Sequence, residues 1–70
     1  MTTTVALTVN GEPRTLGAGA TVADLLGELG VEPRGVAVAV DGEVVPRRTW
    51  GGHALGGGEH VEILSIAQGG

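Results

Sequence analysis

Two dipeptides, Asn10-Gly11 and Asp41-Gly42, restrict this chain more than any other feature, because each follows directly on a run of alternating residues. Asn-Gly and Asp-Gly are the strongest short hairpin signals, because a two-residue turn that matches strand twist uses positive φ, which Asn, Asp and Gly tolerate. Upstream of the first turn, Val5, Leu7 and Val9 alternate with Ala6 and Thr8; upstream of the second, Val36-Ala37-Val38-Ala39-Val40 alternates large with small. A period of two places alternate residues on one face of a strand. The chain thus reads as two hairpins, with returning strands at about Pro13 to Leu16 and at Val44-Val45. Pro13 has no N–H to give to a ladder, so its strand belongs at a sheet edge.

Between the hairpins the period changes. Val22, Leu25, Leu26 and Leu29 recur at i, i+3, i+4 and i+7, a single apolar stripe of a helix. Thr21 stands at the N-cap with Asp24 three residues on, a capping box with Asp in place of Glu. Gly27 inside the stripe costs about 1 kcal/mol relative to Ala, and Gly30 is placed to end the helix in a left-handed conformation.

The last strand is expected from His60 to about Ala67, with Val61 and Ile63 on one face and Leu64 and Ile66 on the other. A strand that is apolar on both faces is a central one. Arg47 to Leu55 reads as a turn with a short helical piece, and Gly56-Gly57-Gly58 as a loop. The expected fold class is α+β: one domain over residues 1–70, a mixed five-stranded sheet with one main helix on one face, and a flexible tail at 68–70. With one Trp and no Phe or Tyr, Val, Leu, Ile and Ala must fill the core. Trp50 belongs in that core, because a lone indole covers much apolar surface in a domain of this size.

Several kinds of chemistry are excluded. There is no cysteine, hence no disulfide, thiolate metal site or side-chain sulfur carrier. His53 and His60 lie seven apart without H-E-x-x-H spacing, so no metal site is expected and no cofactor is assigned. Gly56-Gly57-Gly58 lacks the lysine of a phosphate-binding loop. No nucleophile stands beside a base, so the chain is not expected to be an enzyme. Eight carboxylates against four arginines give a net charge of −4, which disfavours nucleic acid and suits a soluble protein. No apolar run is long enough to cross a membrane, and Met1-Thr2-Thr3-Thr4-Val5 lacks the charged and apolar parts of a secretion signal. A cytoplasmic location and a monomeric free state are expected.

This element order, ending in Gly69-Gly70, resembles the ubiquitin-like β-grasp fold of the prokaryotic sulfur carriers. Within that group, Asp41-Gly42-Glu43-Val44-Val45-Pro46-Arg47 with Trp50 is similar to the N/D-x-x-V-V-P-R-x-x-W segment of the ThiS family. Thr21-Val22-Ala23-Asp24-Leu25-Leu26 is similar to that family's helix start, and Gly58-Glu59-His60-Val61-Glu62-Ile63-Leu64 to its G-D-x-V-E-I strand. The sister MoaD family shares fold and tail but usually lacks the V-V-P-R-x-x-W segment. Leu64 stands where relatives commonly carry an aromatic.

The resemblance implies a role for the main chain. A ThiF-type adenylating enzyme would use ATP to activate the carboxylate of Gly70, and a cysteine desulfurase or rhodanese-type donor would supply the sulfur that turns it into a thiocarboxylate. Thiazole synthase, ThiG, would then take the sulfur for thiamine. Gly69 gives the tail access to a narrow active site, because glycine has no side chain and adopts any φ and ψ. Leu64, Ile66 and Gln68 are the candidate partner-binding residues, with Ala37 and Ala39 beside them on the sheet face. Burial of Leu64, Ile66, Ala37 and Ala39 under the fold itself stands as an equal reading, and Leu64→Asp separates the two. Other destinations stay open: a MoaD-like carrier for molybdopterin or another sulfur metabolite, or a ubiquitin-like protein modifier.

Overall fold

A computed structural model describes residues 3–66, so Ala67, Gln68, Gly69 and Gly70 lie outside the described residues. In chain order the elements are β1 (Thr4–Val9), β2 (Glu12–Gly17), α1 (Val22–Leu29), a 3₁₀ turn (Pro33–Gly35), β3 (Val36–Val40), β4 (Glu43–Val44), a 3₁₀ segment (Arg47–Gly52) and β5 (His60–Ser65). The strands form a single mixed sheet in the order β2-β1-β5-β3-β4. This is the β-grasp arrangement, with both hairpins flanking the last strand.

The turns behave as the dipeptides require. Asn10 and Gly11 have φ of 53° and 84°, and Asp41 and Gly42 have 50° and 85°. Each hairpin is therefore closed by two residues in the left-handed region, where Asn, Asp and Gly are the residues that sit with least strain. β1 pairs antiparallel with β2 along its whole length, from Thr4 opposite Gly17 to Val9 opposite Glu12. Pro13 lies on the edge strand, as its missing donor demands.

The helix is capped at both ends. The Thr21 hydroxyl accepts from the Asp24 N–H at 3.2 Å while the Asp24 carboxylate accepts from the Thr21 N–H at 3.0 Å. Gly30 closes the other end with φ of 69°, its N–H donating back to Gly27. Val22, Leu25 and Leu26 are buried, and Leu29 packs half-buried against the same core. Facing them from the sheet are Leu7, Val9, Leu16, Val36, Val38, Val40 and Val61.

The segment after β4 covers one end of that core. Trp50 is only 5% exposed, and its indole N–H donates to the Val45 carbonyl at 2.8 Å. Arg47 lies over the ring at 5.7 Å from its centroid and reaches the Arg34 carbonyl at 3.4 Å, which pins the segment to the start of β3. Arg48 is exposed. The expected second strand of this hairpin is shifted by one residue: Glu43–Val44 pairs with β3, and Val45 instead turns inward to the core while its N–H still donates to Val38. Among the described residues, no helix is long and apolar enough to cross a membrane.

β5 is central, between β1 and β3, as its composition indicates. Its two faces nonetheless differ. Val61 is 1% exposed on the helix side, whereas Leu64 on the other face is 58% exposed, because the single helix covers one face only. The described strand also ends at Ser65 instead of near Ala67.

Candidate functional site

The tail itself lies outside the described residues, so its root and the surface around that root make up the observable site. β5 is held on both sides. Along β3 it pairs antiparallel from Val40 opposite Val61 to Val36 opposite Ser65, and the Ile66 N–H donates to the Gly35 carbonyl at 2.9 Å. Along β1 it pairs parallel, Thr8 opposite His60 and Val9 opposite Val61. Parallel neighbours so far apart in sequence reflect the crossover through α1 and the second hairpin.

One contact was not legible in the sequence. β1 turns away at Asn10, but the Asn10 carboxamide continues the ladder by one bond, its Oδ1 accepting from the Ile63 N–H at 2.8 Å. The Asn10 N–H in turn donates to the Val61 carbonyl at 2.8 Å. Asn10 therefore makes the turn and also steadies the strand that carries the tail. In an Asn-Gly dipeptide the turn preference alone accounts for the Asn, and a side chain that serves two elements leaves no second mark on the sequence.

The outer face of the sheet near the tail is apolar. Among the described residues, the exposed large hydrophobics are Val44 at 74%, Leu64 at 58% and Ile66 at 40%. The cross-strand register joins them: Leu64 sits opposite Ala37, and Ala39 lies between Glu62 and Val44. Ala37 and Ala39 are half-buried, and their small side chains leave a smooth floor between the larger residues. A shallow cleft reaches from this face toward the core, bordered by Ala37, Val44, Pro46, Arg47 and Ile66 with buried Val36, Val38, Val45 and Trp50 behind them. Of the two readings of this surface, exposure is the one observed for Leu64 and Ile66; the third candidate, Gln68, lies outside the described residues. Val44 was not among the candidates, since period-two reasoning does not distinguish the exposed from the buried residue of a Val-Val pair.

Other polar groups serve the fold. The His60 Nδ1 lies 2.9 Å from the Thr8 hydroxyl, and the His60 N–H donates to the Asp41 carboxylate at 2.9 Å. His53 is half-buried, and its carbonyl accepts from the Val22 N–H at 3.0 Å. The Glu59 carboxylate accepts from the Gly56 N–H at 2.7 Å and shapes the glycine loop. Asp41, Glu43, His53 and Glu59 border a cleft of about 230 Å³ at the start of β5, the end away from the tail. Among the described residues, no three metal-binding side chains converge.

The ThiS family model matches residues 7–70. The chain belongs to the ThiS family. It is 31% identical over 61 residues to the sulfur carrier protein ThiS of Escherichia coli, covering 87% of this chain and 92% of that one. To the sulfur carrier protein ThiS of Thermus thermophilus it is 40% identical over 62 residues, 89% of this chain and 95% of the relative. The crystal structure of the thiamine biosynthesis protein ThiS from Geobacter metallireducens superposes with a TM-score of 0.81 at 38% identity, over 94% of this chain and 100% of that one. The chain is also 44% identical over 64 residues to a thiazole synthase of Paramagnetospirillum magneticum, where it spans 91% of itself but only 20% of that protein.

Proposed function

We propose that the chain carries sulfur for thiamine biosynthesis on the carboxylate of Gly70. The ThiS family match, which extends to Gly70, is the observation that carries this reading. A carboxylate resists attack at carbon because its negative charge is delocalised over both oxygens. In the proposed sequence a ThiF-type enzyme first transfers AMP from ATP to the Gly70 carboxylate, with release of pyrophosphate. A persulfide sulfur, supplied through a cysteine desulfurase or a rhodanese-type donor, then attacks the acyl carbon and AMP leaves. Cleavage of the sulfur–sulfur bond by a thiol leaves Gly70 as a thiocarboxylate.

The final acceptor in this reading is thiazole synthase, a partner supported by the segment of the Paramagnetospirillum protein that is similar to this chain. The domain adds no catalytic group and binds no cofactor of its own; its work is recognition, performed in the cytoplasm. The patch of Val44, Leu64 and Ile66 suits that work, being apolar, exposed and continuous with the strand that leads to Gly69 and Gly70. Contiguous exposed apolar residues of this kind mark protein interaction surfaces.

Reconstitution tests the reading. The chain, incubated with a ThiF-type enzyme, ATP and a persulfide donor, is expected to gain the mass difference of one oxygen exchanged for sulfur, localised to Gly70. Addition of thiazole synthase and its small substrates should then discharge it. A chain extended by one residue after Gly70 should remain unmodified. Sulfur on the extended chain, or isopeptide-linked targets in place of a thiocarboxylate, would sink the proposal.

A further inference from the structure

The two long sides of β5 are not equally filled. Successive residues of a strand direct their main-chain groups to opposite sides. The Ile66 N–H donates to Gly35 on the β3 side, whereas the Val61 carbonyl and the Ile63 N–H bond to Asn10 on the β1 side. By this alternation, the Ile63 carbonyl and the Ser65 N–H and carbonyl also face the β1 side. There β1 has already ended, its last pair being Val9 with Val61. Among the described residues, no hydrogen bond reaches the Ser65 N–H or the Ile63 carbonyl from that side. The half of β5 nearest the tail is therefore an open strand edge inside the sheet order, not at its margin.

We infer that this edge accepts a short extended segment of thiazole synthase, which adds as a strand beside Ile63–Ser65 and so fixes the direction in which the tail leaves. The inference rests on the proposed role of the chain as sulfur donor to that enzyme. Added strands gain affinity from main-chain bonds and specificity from the side chains beside them. Here the Ile63 carbonyl and the Ser65 N–H offer an acceptor and a donor in register, and exposed Leu64 and Ile66 flank them on the outer face. Gly70 lies five residues beyond Ser65, a reach of at most about 18 Å for extended chain. A strand fixed at Ser65 thus limits where the carboxylate can go, without touching it. The occupant is taken as thiazole synthase because a protein of that name contains a segment similar to this chain, a sign that the two functions work side by side.

Proline at Ser65 isolates the effect. The Ser65→Pro change removes an N–H that no described group uses, while the preceding Leu64 is already extended, as a residue before proline must be. Ser65→Ala keeps the N–H and removes the hydroxyl. Binding of each full-length variant to purified thiazole synthase is measured together with its thermal transition. Ser65→Pro is expected to bind roughly fivefold more weakly, the value of about one net hydrogen bond, with Ser65→Ala unchanged. In the unaltered chain, the Ser65 amide should exchange faster than those of Ile63 and Ile66, and should slow when the synthase is added. Wild-type binding by a folded Ser65→Pro variant, or an unchanged Ser65 exchange rate in the bound complex, overturns the edge while leaving the donor role intact. Failure of the unaltered chain to bind any thiazole synthase overturns the donor role as well.

Discussion

Trp50 offers the most quantitative test of how this domain is held together. A fully buried Trp removes roughly 150–250 Å² from water, which at about 25 cal/mol per Å² corresponds to roughly 4–6 kcal/mol. Trp→Ala changes in cores cost about 3–5 kcal/mol, and a 70-residue domain has a total stability of only about 4–10 kcal/mol. Trp50→Ala should therefore use up from about a third of the margin to all of it and raise the unfolded fraction at 37 °C. Trp50→Phe isolates a smaller part: the core keeps a ring, but the Val45 carbonyl loses the indole N–H that it accepts at 2.8 Å. A buried acceptor left unpaired costs about 1–3 kcal/mol, and each kcal/mol lowers the melting temperature by about 4–8 °C in a domain of this size. Far-ultraviolet circular dichroism during thermal and urea denaturation measures both, since neither variant retains the Trp fluorescence. A Trp50→Phe variant that melts with the parent would refute the reasoning about Val45, and a fully stable Trp50→Ala variant would refute the burial argument itself.

Asn10→Gly keeps the left-handed turn but deletes the acceptor of the Ile63 N–H; a loss of about 1 kcal/mol and faster Ile63 amide exchange are expected, with the β1–β2 pairing intact. Thr21→Ala breaks one half of the capping box and should lower stability by about 1 kcal/mol in urea titrations. Leu64→Asp places charge on the exposed face and should weaken binding to the activating enzyme and the synthase at least several-fold, as charge in an apolar contact must be desolvated. Its thermal transition should stay near that of the parent, because Leu64 is 58% exposed.

Local features were the most legible in the sequence. Positive φ at Asn10-Gly11 and Asp41-Gly42, the capping pair Thr21 and Asp24, and the helical stripe through Leu25 and Leu26 all arise from preferences acting within a few residues. The V-V-P-R-x-x-W segment pointed to the ThiS family for a reason now visible: Val45, Trp50 and Arg47 form one interlocked unit through a hydrogen bond and a ring contact. Non-local features were less accessible. Period-two patterning shows that Leu64 and Ile66 share a face, but not whether anything covers it; that depends on there being one helix and on its crossing the other side. The same limit applies to Asn10, whose partner is 53 residues away.

The sheet order has a consequence for how the chain acquires its structure. β1 and β3 do not pair with each other; each pairs with β5, which follows both in the chain. Until β5 is seated, the remainder consists of two hairpins and a helix with no shared ladder. Bringing His60 beside Thr8 closes a loop through most of the chain, and contacts of such long range slow folding. The element that presents the tail is thus also the one whose arrival completes the sheet. A chain with β5 displaced also lacks the ladder to β3 that holds Leu64 in its place on the outer face.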